Sequence, residues 1–302
     1  QDGSYLAELL LQKKYKVYGI SKPNIRENYD NIKLIKKKII IKKIDINNAS
    51  NVRKLIKKVK PNEFYHLAAQ SFVNYKFEDE FFKLNPNING THYILSSINK
   101  YSPKTKFYFA ASSEIFGFNN KKKQNEKTPF NPRSAYGISK VAGFLLTKNY
   151  REAYGLFSCS GILYNHESGR RGENFVTKKI IKNLIQIHKK KIKKFTLGDI
   201  DARRDWGHAK DYVYAMWGML QQKKPTDFVI GSGKSHSVKD FLKIAFNEFG
   251  LDYKKHIKID KKLLRKNDSV SLIADCSKAK LKLNWKPKYS FKMLIKDMIN
   301  FE

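Results

Sequence analysis

Lys106-Phe-Tyr-Phe-Ala-Ala-Ser-Ser-Glu114, followed by Tyr136-Gly-Ile-Ser-Lys140, decides how this chain is read. The first stretch is an apolar, aromatic run of the kind that forms a buried strand, and it ends on hydroxyls and a carboxylate. The second sets a tyrosine four residues before a lysine, one turn apart on one helix face. An ammonium beside a phenol favours the phenolate, which makes Tyr136 a candidate base near neutral pH. Ser112 offers a hydroxyl to hold an oxygen being oxidised. Glu114 adds a second acid/base group that simple alcohol oxidation does not need. Together the four residues suggest hydride transfer coupled to proton removal and elimination. Taken singly, each has a plainer account: Tyr and Lys on a solvated helix face, Ser-Ser-Glu as a helix N-cap.

The surrounding pattern supports a strand–helix alternation. Strands are predicted at 16–20, 39–44, 63–67, 106–110 and 157–163, and helices at 5–13, 49–59, 87–99 and 134–154. Such alternation implies a parallel sheet covered on both faces, with ligands beyond the carboxyl ends of the strands. Leu67–Ser71 and Ser112–Glu114 both fall at such ends. After residue 164 the pattern loosens: helices at 174–188, 209–221, 238–249 and 291–301 alternate with short strands such as 227–230. The expected fold is therefore α/β, a doubly wound parallel sheet over 1–164 with a smaller α/β substrate domain over 165–302, some of whose elements return to pack on the first.

The chain has 302 residues, of which 41% are hydrophobic, enough for a large core. Its net charge of +34 is extreme. The lysines are scattered along every element rather than gathered in one tail, so we read them as solvated surface and expect no nucleic-acid partner. Lys-rich 36–38 and 189–194 read as turns. A positive field also suits ligands that carry phosphates. Cys159 and Cys276 give neither a disulfide framework nor a zinc pattern, no His/Cys/Asp cluster has metal spacing, and no apolar run is long enough to span a membrane. A reducing cytoplasm is the expected setting.

Five further stretches join the opening one: 1–7 (Gln-Asp-Gly-Ser-Tyr-Leu-Ala), 67–71 (Leu-Ala-Ala-Gln-Ser), 165–180 (Asn-His-Glu-Ser-Gly-Arg-Arg-Gly-Glu-Asn-Phe-Val-Thr-Lys-Lys-Ile), 203–213 and 275–280. With these the chain resembles the GDP-mannose 4,6-dehydratases, of the extended short-chain dehydrogenase/reductase superfamily, with its Rossmann-type sheet. The 165–180 segment is the most specific, close to the family's Asn-His-Glu-Ser-Pro-Arg-Arg-Gly, with Gly169 in place of the proline. Ser21-Lys22-Pro23-Asn24 stands where the family has an Arg pair, Phe82 where Tyr is usual, and Arg265-Lys-Asn-Asp268 where it has Arg-Pro-x-Glu. Residues 1–7 resemble the end of the glycine-rich turn, so the first strand and first glycine are expected upstream of Gln1.

The resemblance implies NADP, with NAD the lesser candidate, held by Gln1, Asp2, Gly3, Lys22, Asp45, Ile46, Leu67, Ala68, Ala69, Gln70, Ser71, Phe82, Tyr136, Lys140, His166 and Arg171. It implies GDP-mannose held by Ser71, Glu114, Asn165, Val176, Lys179, Arg204 and Arg265. It also implies a homodimer or homotetramer, in which the Arg170-Arg171 loop can reach a neighbouring subunit's cofactor site. Plainer local accounts exist for several of these: Asp45 as an N-cap, Lys22 as a surface lysine, any one arginine as a surface cation. Asp205-Trp206 reads as structural, and His208 as a satisfied helix-start histidine. The rival readings are another reductase or epimerase on a sugar nucleotide, which has no use for a C5 base at Glu114, and a catalytically silent module, which has no use for the intact Ser112, Glu114, Tyr136 and Lys140.

Overall fold

Strand β4 (Lys106–Ser112) sits at the centre of a four-stranded parallel sheet, ordered β10–β5–β4–β3. Its partners are β3 (Glu63–His66) and β5 (Ser158–Leu163), and β5 pairs in turn with β10 (Phe228–Ile230). The computed structural model describes residues 1–23, 29–69, 84–117, 122–263 and 272–302. Every residue of β5 is buried, as a strand covered on both faces requires.

The alternation along β4 assigns the layers. Tyr108 and Cys159 face one side, where helix α1 (Asp2–Gln12) packs through Tyr5, Leu6, Leu9 and Leu10 beside α6 (Ala209–Leu220). Phe107, Phe109 and Ile162 face the other, covered by α2 (Ala49–Val59), α3 (Thr91–Tyr101) and α4 (Ala135–Tyr154). Leu6, Leu9 and Leu10 are spaced to form one apolar stripe of α1. Asn48 caps α2 by accepting from Asn51 N, Ser134 caps α4, and Gly155 in the left-handed region ends α4.

Strands β1 (Tyr18–Ser21) and β2 (Ile40–Lys43) pair with each other in parallel and form a separate two-stranded piece. Among the described residues the doubly wound pattern is thus laid out as two parallel pieces rather than one continuous ladder. The helix expected over 87–99 is already under way at Leu84–Asn85, passes through a π turn at Pro86–Gly90 and is regular again from Thr91. Pro86 has no N–H to donate, so the regular ladder is interrupted where it sits.

The second half of the chain builds its own core. Helices α5 (Val176–His188), α7 (Val238–Asn247) and α9 (Phe291–Asn300) enclose Ile181, Leu184, Trp206, Phe241, Phe246 and Met298. Short strands stitch this part together: β6 (Asn165–Glu167) with β9 (Trp206–His208), β7 (Phe195–Leu197) with β12 (Ile257–Ile259), and β8 (Arg203–Arg204) with β11 (His236–Ser237). A last short helix, α8 (Ser277–Leu283), packs beside β10 and α6. β10 pairs with β5 in the first sheet, and α6 packs on its Tyr108 face.

Candidate active site

Ser112 ends β4 and, with extended backbone, caps the single 3-10 turn Ser113–Ile115; its Oγ accepts from Glu114 N at 3.3 Å. The turn carries Glu114 to the carboxyl end of the sheet. Opposite it, Ser134 Oγ accepts from Gly137 N at 3.0 Å and starts α4 at the tyrosine. Gly137 makes the approach possible. A Cβ there would lie 2.8 Å from the Glu114 carbonyl oxygen and 3.0 Å from Pro132 Cβ. A side chain between Tyr136 and Ile138 would push the helix off the turn that bears Glu114.

Lys140, one turn on, is 3% exposed. Its Nζ donates to the Ala110 carbonyl at 2.6 Å, lies 4.9 Å from the Phe109 ring centroid and 5.8 Å from that of Tyr136. Burial pushes its pKa down to about 7. In the folded protein without ligands this lysine therefore gives up its charge near neutral pH, whereas in an unfolded chain it keeps it to about 10.5. Between those two pH values the unfolded state binds more protons, so stability rises with pH across the window and the cost of burying the charge is complete below pH 7. Lys140→Met is expected to stabilise the ligand-free protein at pH 6 by several kcal/mol, on the order of 4–5 less about 1 for the lost hydrogen bond. By pH 10.5 that advantage should be gone. Urea unfolding at both pH values checks it; equal midpoints at pH 6 would mean the lysine is hydrated.

Four buried groups that sequence reasoning missed stand behind this helix. His66 Nε2 lies 3.1 Å from Thr91 Oγ1, which donates to Asn87 O at 2.7 Å; Asn87 Nδ2 donates to Ser139 Oγ at 2.9 Å, and Ser139 Oγ donates to Tyr136 O at 2.7 Å. Burial, together with the nearby Lys140, pushes the His66 pKa down to about 3, so the ring is neutral. The signal for this chain of contacts was Asn-Pro-Asn at 85–87, a proline just ahead of the helix predicted over 87–99.

The 165–171 segment closes the site from the far side. His166 Nε2 meets Asp2 Oδ2 at 2.7 Å, and its Nδ1 lies 2.7 Å from the Tyr164 carbonyl. Burial opposes charge on both groups, but the contact overrides it: the histidine is held above its ordinary pKa and the carboxylate below. Arg171 Nε lies 3.1 Å from Glu167 Oε2, with its guanidinium over Phe175. Arg170 turns to its own chain: it donates to Glu8 at 2.6 Å and Ser4 Oγ at 2.9 Å and rests over Tyr5.

These elements enclose one cleft of about 1080 Å³. Gln1, Asp2, Gly3, Leu67, Ala69, Ser112, Glu114, Tyr136, Lys140, Asn165, His166, Arg171, Val176, Lys179 and Arg204 all line it. Lys22, Asp45, Ile46 and Ala68 are not among the lining. Lys22 is exposed just after β1, Asp45 Oδ1 accepts from Asn47 N at 3.0 Å, and Ile46 packs beside Gly90. Gln70, Ser71, Phe82 and Arg265 lie outside the described residues. The lining also includes Thr177, Leu197–Asp199, Ala202 and Leu263, which the sequence reading did not select. Asp205 and His208 are structural, as expected. Asp205 accepts from the Ser232, Gly233 and Ala274 amides and from Ser232 Oγ; His208 caps α6 and bonds Asp297 at 2.9 Å.

The sequence model of the family described as GDP-mannose 4,6 dehydratase matches residues 1–298. This chain belongs to that family. The GDP-mannose 4,6 dehydratase 1 of Arabidopsis thaliana is 44% identical over 312 residues, covering 99% of this chain and 86% of its own length. The GDP-mannose 4,6 dehydratase of Homo sapiens is 40% identical over 327 residues, covering 99% and 88%. Among solved structures, DesIV, a dTDP-glucose 4,6-dehydratase from Streptomyces venezuelae with NAD and TYD bound, superposes with a TM-score of 0.87 at 19% identity, covering 99% of this chain and 93% of that one. That likeness bears on the fold. Residues of the 165–180 signature and of the Ser112–Lys140 set line the same cleft. No helix among the described residues is long and apolar enough to cross a membrane.

Proposed function

We propose that this chain removes water from GDP-mannose, giving GDP-4-dehydro-6-deoxymannose, with NADP bound in the cleft. The observation that carries the reading is the convergence of Ser112, Glu114, Tyr136 and Lys140 with Asn165, Val176, Lys179 and Arg204 in one lining. The first bonds of α1 run from Ser4 N and Tyr5 N to the Gln1 carbonyl, so the Asp2 and Gly3 amides fall before them; a Cβ added at Gly3 meets nothing within 4 Å, so the backbone there is open to a diphosphate. Gln1, Asp2, Gly3, His166 and Arg171 would hold the cofactor at that end. Bound there, NADP would supply the hydride acceptor for the sugar C4 and the hydride donor for C6.

The chain's own residues do the rest. Tyr136 takes the C4 hydroxyl proton while Ser112 holds that oxygen. The C5 proton, then α to a ketone, is acidic enough for Glu114 to remove; Glu114 passes that proton to the departing C6 hydroxyl, which leaves as water, and once C6 is reduced the proton held by Tyr136 goes to C5. Residues 1–164 supply the cofactor end, and 165–302 mainly the sugar-nucleotide end. Arg204 and Lys179 suit the diphosphate as a fork and a point charge. Ile138 and Leu145, 54% and 51% exposed and two turns apart on α4, support a homodimer or homotetramer built on that helix. Incubation with GDP-mannose and NADP, followed by mass spectrometry, tests the activity. The expected product is lighter by one water, whereas an epimerase would return a sugar nucleotide of unchanged mass.

A further inference from the structure

Gly169 is buried under a side chain that takes no part in the chemistry. A Cβ built there would lie 2.2 Å from both Cβ and Cγ of Phe301, so the Phe301 side chain rests directly on the loop backbone. Lys178, buried on the first turn of α5, completes the grip. Its ammonium donates to the Gly169 carbonyl at 2.5 Å, pairs with the Glu302 carboxylate, and lies 4.9 Å from the Phe301 ring centroid. On its other side the same loop holds the start of α1. Ser168 Oγ donates to Gln1 Oε1 at 2.8 Å, Gln1 Nε2 donates to the His166 carbonyl at 3.1 Å, and His166 meets Asp2. The loop is thus pinned between α9 and the helix end that opens onto the cleft.

We propose that Gly169, Lys178 and Phe301 are positioning residues for the dinucleotide end of the site, acting through the 166–168 backbone on Gln1 and Asp2. None of the three touches the reacting atoms. Their packing sets how far the loop advances toward α1, and therefore whether the helix amides and the Asp2–His166 pair keep the spacing that a diphosphate needs. The side-chain-free position at 169 is what lets Phe301 seat. A proline there, as in the family's signature, would bring a Cβ into the same space.

The inference rests on the cleft's reading as a dinucleotide site, and its test separates the two. NADP affinity is measured by titration calorimetry for wild type, Gly169→Ala, Phe301→Gly and the double variant, alongside amide hydrogen exchange over residues 2–6. Gly169→Ala is expected to weaken NADP by about tenfold, the scale of overpacking a filled site. Its kcat at saturating NADP should stay within about twofold, since the reacting groups are not moved. Exchange at the start of α1 should speed up. Phe301→Gly in the same chain should recover most of the NADP affinity, because it removes both the Cβ and the Cγ that the added methyl would meet. Unchanged affinity and exchange in Gly169→Ala, or singles that simply add in the double variant, would overturn the proposal. If wild type binds no NADP, the dinucleotide reading fails. The proposal then falls with it, even where altered exchange shows that the loop is mechanically coupled to α1.

Discussion

Tyr136→Phe is expected to bind GDP-mannose like the wild type and to turn over on the order of 10²–10⁴-fold more slowly, the usual loss for a positioned acid/base group. The substitution removes a single oxygen. The ring is 9% exposed and stays packed; Ser139 bonds the backbone carbonyl of residue 136, not its side chain; and Ser134 still caps the helix. Those contacts survive the substitution, and on the proposed mechanism what is lost is the acceptor for the C4 hydroxyl proton. Because C5 is acidified only after C4 becomes a ketone, solvent deuterium should also stop entering C5. Absorbance of reduced nicotinamide should not appear in a single turnover. A variant that keeps more than about a tenth of the wild-type rate would lie outside the loss expected for a general base, and would assign the proton to another group.

How much of this was legible in the sequence depends on the length of the signal. Phe107, Tyr108 and Phe109 alternate across a strand flanked by others of its kind, so the sheet and its two helical layers follow from the pattern. The Tyr136–Lys140 spacing likewise fixed one helix face. Strands of two or three residues such as β6, β8 and β9 carry no period at all, which is why Leu197–Asp199 and Ala202 were not seen as cleft lining. Lys140 shows a different limit. A lysine in so basic a chain reads as solvated, and its local spacing reads as a cation aimed at the phenol. The structure buries it at the inner wall of the cleft, beside the Phe109 ring, and gives its ammonium a bond to the Ala110 carbonyl. Gly137 and Gly169 look alike in sequence, as glycines in polar stretches. Only the neighbouring elements, the Glu114 turn and Phe301, show what each one admits.

Glu114→Gln is expected to divide the reaction at its midpoint, in contrast to the tyrosine variant. Glu114 is partly exposed, in a turn whose geometry is set by its backbone: the amide donates to Ser112 Oγ, and the carbonyl packs on the Gly137 backbone. Replacing the carboxylate with an amide of the same shape leaves those backbone contacts in place and removes the negative charge and the ability to take a proton. Substrate affinity should hold. Oxidation at C4 does not involve this side chain, so absorbance of reduced nicotinamide should still appear in a single turnover. The step that follows should fail: exchange of the C5 proton with solvent deuterium, and release of water, should each fall by about 10²–10⁴-fold. The pair of variants thus yields two different patterns from two residues of the same cleft. Tyr136→Phe abolishes both signals, while Glu114→Gln keeps the first and loses the second. Wild-type deuterium entry at C5 in Glu114→Gln would show that another group is the base. Loss of both signals in Glu114→Gln would mean that the carboxylate acts before the ketone forms, which would place it beside Tyr136 in the oxidation rather than after it.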